Sequence, residues 1–164
     1  MEYTIRPMEA AEYPLLEDFL YEAIFIPEGA VPPPREIIHR PELRVYTDSF
    51  GSRAGDYALA AVSEGNIVGA VWTRIMNDYG HIDDETPSFA ISLYREYRGR
   101  GIGTALMKEM LKVLRNAGYQ KASLAVQKAN YAVRMYKSVG FEIIDENDEE
   151  YIMVCGLQSR GSVR

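Results

Sequence analysis

A glycine-rich turn joins a strand-like segment to a helix-like segment in this chain. Residues 86–94, TPSFAISLY, have the composition of a strand, and residues 102–116 repeat apolar side chains every three or four positions, as an amphipathic helix does. The turn consists of Arg98, Gly99, Arg100, Gly101, Ile102, Gly103 and Thr104. Glycine costs conformational entropy in an ordered backbone, and nearby arginines repel each other, so this composition points to a specific task.

The turn is suited to holding a phosphate group. The first N–H groups of a helix have no partner inside the helix, and the helix dipole adds partial positive charge there. Glycines let these groups approach an anion closely, while Arg98 and Arg100 add charge and hydrogen-bond donors. The alternative is a surface turn that carries two solvated arginines.

Two common phosphate-binding motifs do not fit this turn. A P-loop requires Gly-Lys-Ser/Thr, which does not follow the glycines. A dinucleotide fingerprint counted from Gly99 would place its third glycine at Thr104, and no acidic residue follows at the distance that a ribose contact needs. The nature of the phosphate therefore remains open from spacing alone.

Strands and helices alternate along the rest of the chain. The patterns predict strands at residues 3–7, 57–62, 66–76, 86–94, 121–126, 141–145 and 150–157. They predict helices at residues 8–25, 102–116 and 130–138, with two short helices near 35–39 and 42–46 in a proline-rich connection. We therefore expect one α+β (mixed α/β) domain over residues 1–157 and a polar, disordered C-terminal tail over 158–164.

Composition excludes several classes of protein. The 164 residues suit one domain, and 18 Lys and Arg against 24 Asp and Glu give a net charge of −6, which disfavours nucleic acid as a partner. No apolar run is long enough to span a membrane, and no signal peptide is apparent, so a cytoplasmic protein is expected. A single cysteine, Cys155, excludes an internal disulfide and a cysteine-based zinc site.

Two motifs resemble the GNAT superfamily of acyl-CoA-dependent N-acetyltransferases. Residues 98–103, RGRGIG, match the family pattern Arg/Gln-x-x-Gly-x-Gly/Ala, and residues 130–141, NYAVRMYKSVGF, are similar to its Asn-x-Ala-x-x-Leu-Tyr-x-x-x-Gly-Phe segment. The motifs follow each other in the family's order, and the resemblance covers Tyr57 to Leu157. Arg95 stands where the family commonly has a proline.

The resemblance implies a fold and a coenzyme site. The fold would be GNAT-like, with a central mixed, mostly antiparallel sheet of six or seven strands flanked by helices. Two parallel strands would splay apart, at residues 89–93 and 123–127. Backbone N–H groups of residues 98–104 would bind the pyrophosphate of acetyl-CoA. The backbone of Ile91, Ser92 and Leu93 would pair with the pantetheine arm. Asn130 would contact the coenzyme, with a simple helix N-cap as the alternative.

The resemblance also implies residues for the chemistry. Tyr136 matches the tyrosine that gives a proton to the leaving thiolate, although a packing role is the alternative in a chain with twelve tyrosines. The general base is not defined by any motif. Glu85, in the sequence HIDDE that includes His81, Asp83 and Asp84, is the candidate for a base, alone or through water; the alternative is a solvated acidic turn.

The expected activity is direct transfer of an acetyl group from acetyl-CoA to a primary amine, without a metal. The acceptor would be a small molecule or a peptide amine, neither nucleic acid nor membrane would be bound, and a homodimer is plausible for this family. Two other functions stay open: a non-catalytic acyl-CoA sensor, and a binder of another phosphorylated cofactor at the same turn.

Overall fold

The computed structural model describes residues 2–157, and these form seven strands and four α-helices around a single sheet. The strands are β1 (Thr4–Pro7), β2 (Tyr57–Ser63), β3 (Asn66–Arg74), β4 (Ser88–Leu93), β5 (Lys121–Gln127), β6 (Glu142–Glu146) and β7 (Glu150–Gly156). The helices are α1 (Leu16–Ala23), α2 (Pro41–Arg44), α3 (Ile102–Asn116) and α4 (Ala132–Ser138), with 3₁₀ turns at Ala10–Leu15, Arg35–His39 and Arg95–Tyr97. The expected tail at 158–164 lies outside the described residues.

The sheet has the order β1-β2-β3-β4-β5-β7-β6. Every neighbouring pair is antiparallel except β4 and β5, which run parallel. The predicted mixed, mostly antiparallel sheet of six or seven strands is therefore confirmed, with seven strands. Within the described residues no helix is both long and apolar enough to cross a membrane.

A tight turn connects β2 and β3. Glu64 and Gly65 both have positive φ, 51° and 80°, between the paired residues Ser63 and Asn66. Two successive positive φ angles give a turn whose twist matches that of the flanking strands. The turn sets the first two pairs, Ser63 with Asn66 and Val62 with Ile67. A β-bulge at Val68 then shifts the register, so that Ala61 pairs with Gly69.

The two faces of the sheet carry separate cores. One face packs α3 and α4 against the sheet, and its buried residues include Phe89, Leu106 and Phe141. The opposite face packs α1 against β2, β3 and β4, with Phe19 and Trp72 fully buried. We call these two faces of the sheet the α3 face and the α1 face.

The first helix differs from its prediction. A single helix was expected over residues 8–25, but the chain forms a 3₁₀ turn at Ala10–Leu15 before α1 begins. Pro14 lies inside this turn and has no N–H to give to an α-helical hydrogen bond, so the tighter turn is favoured at this point. Arg6 then pairs with Glu12 and fastens the turn to β1.

A buried arginine ties the connection before β2 to the sheet. Arg74 is fully buried at the end of β3 and forms an ion pair of 2.9 Å with Asp56, whose side chain is also buried. Its guanidinium also donates to the backbone oxygens of Val45, Asp48 and Ser49. These bonds hold residues 45–49 against the α1 face.

Candidate functional site

Strands β4 and β5 separate after a single paired position. The pair is Ser88 with Ser123, where the Ser123 N–H donates to Pro87 O at 3.0 Å. Both strands continue for several residues beyond this point without pairing to each other. The predicted splayed pair is thus present, and a gap opens between the strands toward their carboxyl ends.

Backbone groups of β4 face this gap. Tyr94 N–H donates to Val68 O on β3, and hydrogen-bonding sides alternate along a strand, so Ser92 also turns its backbone toward β3. Ile91 and Leu93 therefore turn theirs toward the gap. Of the three residues assigned to pantetheine, these two present main-chain groups there, while the Ser92 hydroxyl donates to Phe19 O on the α1 face.

The same alternation applies to β5. Leu157 N–H donates to Gln120 O and Lys128 N–H to Glu149 O, so the even-numbered residues of β5 pair with β7. Ala125 is odd-numbered, lies past the last paired position, and turns its N–H and C=O toward the gap. An extended amide-bearing chain could therefore bond to both walls of the gap.

The glycine-rich turn has the geometry of an anion site. Gly99 and Gly101 have φ of 74° and 85°, a left-handed conformation that other residues adopt at a cost, and Gly101 caps α3. Open space surrounds the position that a Cβ would take at either glycine. No acidic side chain lies in the first turn of α3, so its free N–H groups keep their positive potential.

Three elements meet at Gly103. A Cβ at this residue would lie 3.7 Å from Leu93 Cδ1 and 3.8 Å from Met135 Sδ, which are ordinary contact distances. The end of β4, the start of α3 and the helix α4 are therefore neighbours. The structure thus brings together the two sequence motifs and the edge of the gap.

The two arginines of the turn differ in their contacts. Arg98 Nε donates to Leu93 O at 2.9 Å, and its other nitrogen pairs with Glu22 Oε1 of α1 at 3.1 Å. Arg98 therefore fixes the turn to β4 and α1 in addition to placing charge there. Arg100 is exposed and has no ion pair within residues 2–157, so its charge is available at the turn.

Asn130 bonds to the first turn of the helix that carries Tyr136. Its Oδ1 accepts a hydrogen bond from Ala132 N–H at 2.9 Å, and α4 begins at Ala132 and not at 130 as predicted. The N-cap position itself is Tyr131, whose side chain makes no capping bond, so Asn130 supports the helix start from one residue before the cap. A coenzyme contact by the same residue stays a prediction.

Tyr136 lies on the α3 face, near the gap. Its ring is 8% exposed and packs edge-on against Phe141, with the ring centres 6.2 Å apart. Phe141 packs in turn against Phe89 of β4. Burial raises the pKa of Tyr136 to about 12, so the phenol holds its proton at neutral pH and is in the form that a proton donor needs. Its role as the general acid stays a prediction.

The acidic turn before β4 lies at the closed end of the gap. Glu85 is exposed, and its N–H donates to Asp83 Oδ1 at 2.8 Å. The Thr86 hydroxyl bonds to the same oxygen, and these contacts hold the pKa of Asp83 below its usual range. His81 Nε2 lies 3.3 Å from Asp84 Oδ1. Glu85 as the base stays a prediction, and the structure gives its carboxylate no partner among residues 2–157.

A different carboxylate, Asp78, lies beside the gap. Its Oδ2 accepts hydrogen bonds of 2.9 Å from Tyr46 OH and from Ser88 Oγ. Burial raises the pKa of Asp78. The two hydroxyl donors oppose that rise, and so do the backbone N–H groups of Asp78 and Gly80. Sequence reasoning missed Asp78 because NDYG looks like an ordinary turn, and Tyr46 is distant along the chain.

Comparison with known proteins agrees with this arrangement. The sequence profile of the Acetyltransferase (GNAT) family matches residues 20–141. The chain belongs to the GNAT family. The turn at 98–104, the gap and Tyr136 all lie within the matched GNAT segment.

Two GNAT-like relatives show how far the similarity extends. N-acetyltransferase 8B from Homo sapiens is 30% identical over 108 residues, which cover 65% of this chain and 48% of that protein. Mycothiol acetyltransferase from Nocardiopsis dassonvillei is 32% identical over 93 residues, covering 54% of this chain and 28% of the relative. The matches span about half or less of the length of these relatives.

Solved structures agree in fold. The PaiA N-acetyltransferase from Thermoplasma acidophilum, in complex with coenzyme A, superimposes with a TM-score of 0.68 at 20% identity. The match covers 95% of this chain and 99% of that one. At this identity the agreement establishes the GNAT fold alone.

Proposed function

We propose that this GNAT protein transfers an acetyl group from acetyl-CoA to a primary amine by direct attack. The observation that carries the proposal is the meeting, at Gly103, of an anion-binding turn, the edge of an unpaired strand and the helix of a buried tyrosine. Each of these parts suits one portion of an acyl-CoA thioester.

The residues at the turn suit a coenzyme A pyrophosphate. The N–H groups that begin α3 directly follow Gly99 and Gly101, two glycines of positive φ on which an added Cβ would meet open space. Arg100 adds a positive charge that has no ion pair within residues 2–157. The backbones of Ile91, Leu93 and Ala125 supply donors and acceptors for the two amides of pantetheine. Leu93 O is the exception, because it already accepts from Arg98.

Tyr136 would supply the proton for the leaving thiolate. An amine that attacks the thioester carbonyl forms a C–N bond, and the C–S bond then breaks. A phenol is protonated at neutral pH even at its ordinary pKa of about 10, and burial raises the pKa of Tyr136 to about 12. Within residues 2–157 its oxygen bonds to no other group. A proton donor near sulfur lowers the cost of expelling a thiolate.

The acceptor would be a small-molecule or peptide amine that enters from the α1 face. Asp78 lies on that face. Glu150 is the first residue of β7 and pairs with Gln127, the last residue of β5. Burial raises the pKa of Glu150, and the charges of Glu149 and Asp78 raise it further. Negative charge on this side favours a basic amine over an acceptor that carries its own carboxylate. We further propose action in the cytoplasm, without nucleic acid or membrane as a partner.

Acetyl transfer can be tested directly. The protein is incubated with acetyl-CoA and with putrescine, glycinamide, glycine or a tripeptide that has a free amino terminus. Thiol release is followed together with the mass of the acetylated product. We expect amine-dependent thiol release with at least one basic amine and less with glycine. Binding of acetyl-CoA without transfer to any amine would instead identify a sensor, and the transfer proposal would be wrong.

A further inference from the structure

The loop that contains Asp78 covers the point where β4 and β5 separate. Ser123 Oγ donates to Gly80 O at 2.7 Å, so this loop is fastened to the first strand position of the gap. A Cβ on Gly80 would lie 3.0 Å from Ala125 N and 3.1 Å from Ser88 Oγ. Gly80 thus rests directly on both strands, and Asp78 stands two residues away from that contact.

Asp78 lies on the face of the sheet opposite to Tyr136. Side chains alternate along a strand, and Ser88, which bonds to Asp78, shares a face with Ala90 of the α1-face core. Phe89 points the other way, into the core that contains Tyr136. The two groups therefore approach the gap from opposite sides, which separates a proton acceptor from a proton donor.

The two oxygens of Asp78 differ in their contacts. Oδ2 takes both hydroxyl donors, whereas Oδ1 is buried and makes no hydrogen bond of full geometry within residues 2–157, although the backbone N–H groups of Asp78 and Gly80 lie near enough to lower the pKa of the carboxyl. A buried carboxylate oxygen without a donor is costly, so such groups in native proteins call for an explanation. An N–H of a bound amine is a donor of the right kind.

We propose, on the basis of the proposed acetyl transfer, that Asp78 is the catalytic base, which accepts an N–H of the amine at Oδ1 and removes its proton. The amine binds in its neutral form, having given its ammonium proton to solvent. As its nitrogen attacks the carbonyl carbon, the C–N bond forms and the C–S bond breaks. One proton passes from nitrogen to Asp78, and one passes from Tyr136 to the thiolate. Water then returns the proton from Asp78 to the tyrosinate, so that atoms and charges balance and both groups are restored.

The surroundings of Asp78 fit this role. Tyr46, in the segment that Arg74 holds in place, and Glu150 of β7 are the titratable neighbours from other elements, and His81 of the same loop pairs with Asp84. Burial raises the pKa of Asp78 toward the range in which a carboxylate can take a proton from an amine and release it again. Glu85, in contrast, is exposed to solvent.

The test compares Asp78→Asn with two changes of the same kind in its own loop. Asp84→Asn removes an exposed carboxylate, and Glu85→Gln removes the competing candidate. With the best amine from the panel above, we expect Asp78→Asn to lower kcat/KM about 100-fold while the acetyl-CoA-induced rise in Tm is kept. Asp84→Asn should leave kcat/KM unchanged. If Asp78→Asn keeps most of its activity, or if Glu85→Gln loses as much, the assignment is wrong.

A second variant separates catalysis from folding. Tyr46→Phe removes one donor to Asp78 and leaves the carboxylate in place, so the pKa of Asp78 should rise further. The acidic limb of kcat/KM against pH should then move to higher pH. An unmoved limb would show that Asp78 does not titrate in the reaction, even if Asp78→Asn fails to fold. Wild-type protein that binds acetyl-CoA but acetylates no amine would refute acetyl transfer itself, a result distinct from an active Asp78→Asn.

Discussion

Asp78 and Tyr136 lie on opposite faces of one sheet, on either side of the gap between β4 and β5. This relationship follows from the alternation of side chains along β4. Ser88 donates a hydrogen bond to Asp78 on one face, and the next residue, Phe89, packs toward Tyr136 on the other face. A sheet with every strand paired would keep the two groups apart. Because Ser88 with Ser123 is their single paired position, β4 and β5 stay unpaired to each other between the two groups.

Replacing Tyr136 by Phe should lower kcat about 100-fold and leave the affinity for acetyl-CoA unchanged. Phe fits the same space against Phe141, so packing is preserved and only the phenol proton is lost. Steady-state kinetics and a binding titration measure the two quantities. An equal loss of turnover and of coenzyme affinity would indicate a structural tyrosine.

Glycine 103 should separate stability from binding. Gly103 has no positive φ, and an added Cβ meets only ordinary contacts, so Gly103→Ala is expected to stabilise the free protein by about 0.5 kcal/mol. The new methyl group would face Leu93 and Met135, and the family pattern allows alanine at this position, so acetyl-CoA binding should be kept. Urea unfolding and a binding titration measure both effects.

The matched variant is Gly101→Ala. Gly101 has a φ of 85°, so this change should destabilise the free protein by about 1 kcal/mol and also weaken coenzyme binding. The two alanine variants should therefore change stability in opposite directions, and only Gly101→Ala should weaken binding. Unimpaired acetyl-CoA binding in Gly101→Ala would contradict the assigned site.

Arginines 98 and 100 should respond differently to truncation. Arg98→Ala leaves Leu93 O without its donor, so the free energy of unfolding should fall by about 1 kcal/mol and coenzyme binding should weaken as well. Arg100→Ala should leave stability unchanged and weaken binding most at low salt, since an exposed charge is screened by ions. Titrations at two salt concentrations measure this; identical behaviour of both variants would argue against distinct roles.

The buried pair of Arg74 and Asp56 should carry much of the stability behind Tyr46. Asp56→Asn leaves a buried guanidinium without a counter-charge, so we expect a loss of about 3 kcal/mol. Asp48→Asn is the control, because its carboxylate is exposed and lies 4.0 Å from Arg44; it should cost less than about 0.5 kcal/mol. Equal losses would show that burial of the pair does not matter.

The same pair predicts sensitivity to acid. Burial alone would raise the pKa of Asp56, but hydrogen bonds from Arg74 and from two backbone N–H groups outweigh it and hold the pKa below its usual range. The unfolded chain therefore binds this proton more tightly, so the stabilisation is complete above the unfolded pKa and is lost as the pH falls through the native one. Tm should drop below about pH 4 in the wild type and less steeply in Asp56→Asn. Parallel slopes would contradict this.

Local patterns predicted the fold well where short-range chemistry decides it. The Glu64–Gly65 hairpin and the amphipathic α3 follow from neighbouring residues, and the splayed pair followed from the family resemblance. The first helix was predicted as one element because its apolar spacing is helical, whereas Pro14 favours a 3₁₀ turn.

The site was predicted less completely, because several of its contacts join distant residues. The glycines of the turn can be recognised in the sequence. The hydrogen bond from Arg98 to Leu93 O and the ion pair of Arg98 with Glu22 cannot. Asp78 becomes notable only when Tyr46 and Ser88 converge on it, and no local pattern indicates that convergence.

Thermal unfolding with and without saturating acetyl-CoA tests the coenzyme site on which the whole account depends. At a hundredfold excess over its dissociation constant, acetyl-CoA should stabilise the protein by about 2.7 kcal/mol. For a domain of this size that corresponds to a rise in Tm of about 5 to 11 °C, which Gly101→Ala should reduce. An unchanged Tm in the wild type would mean that residues 98–104 do not bind the coenzyme, and the proposed acetyl transfer would be wrong.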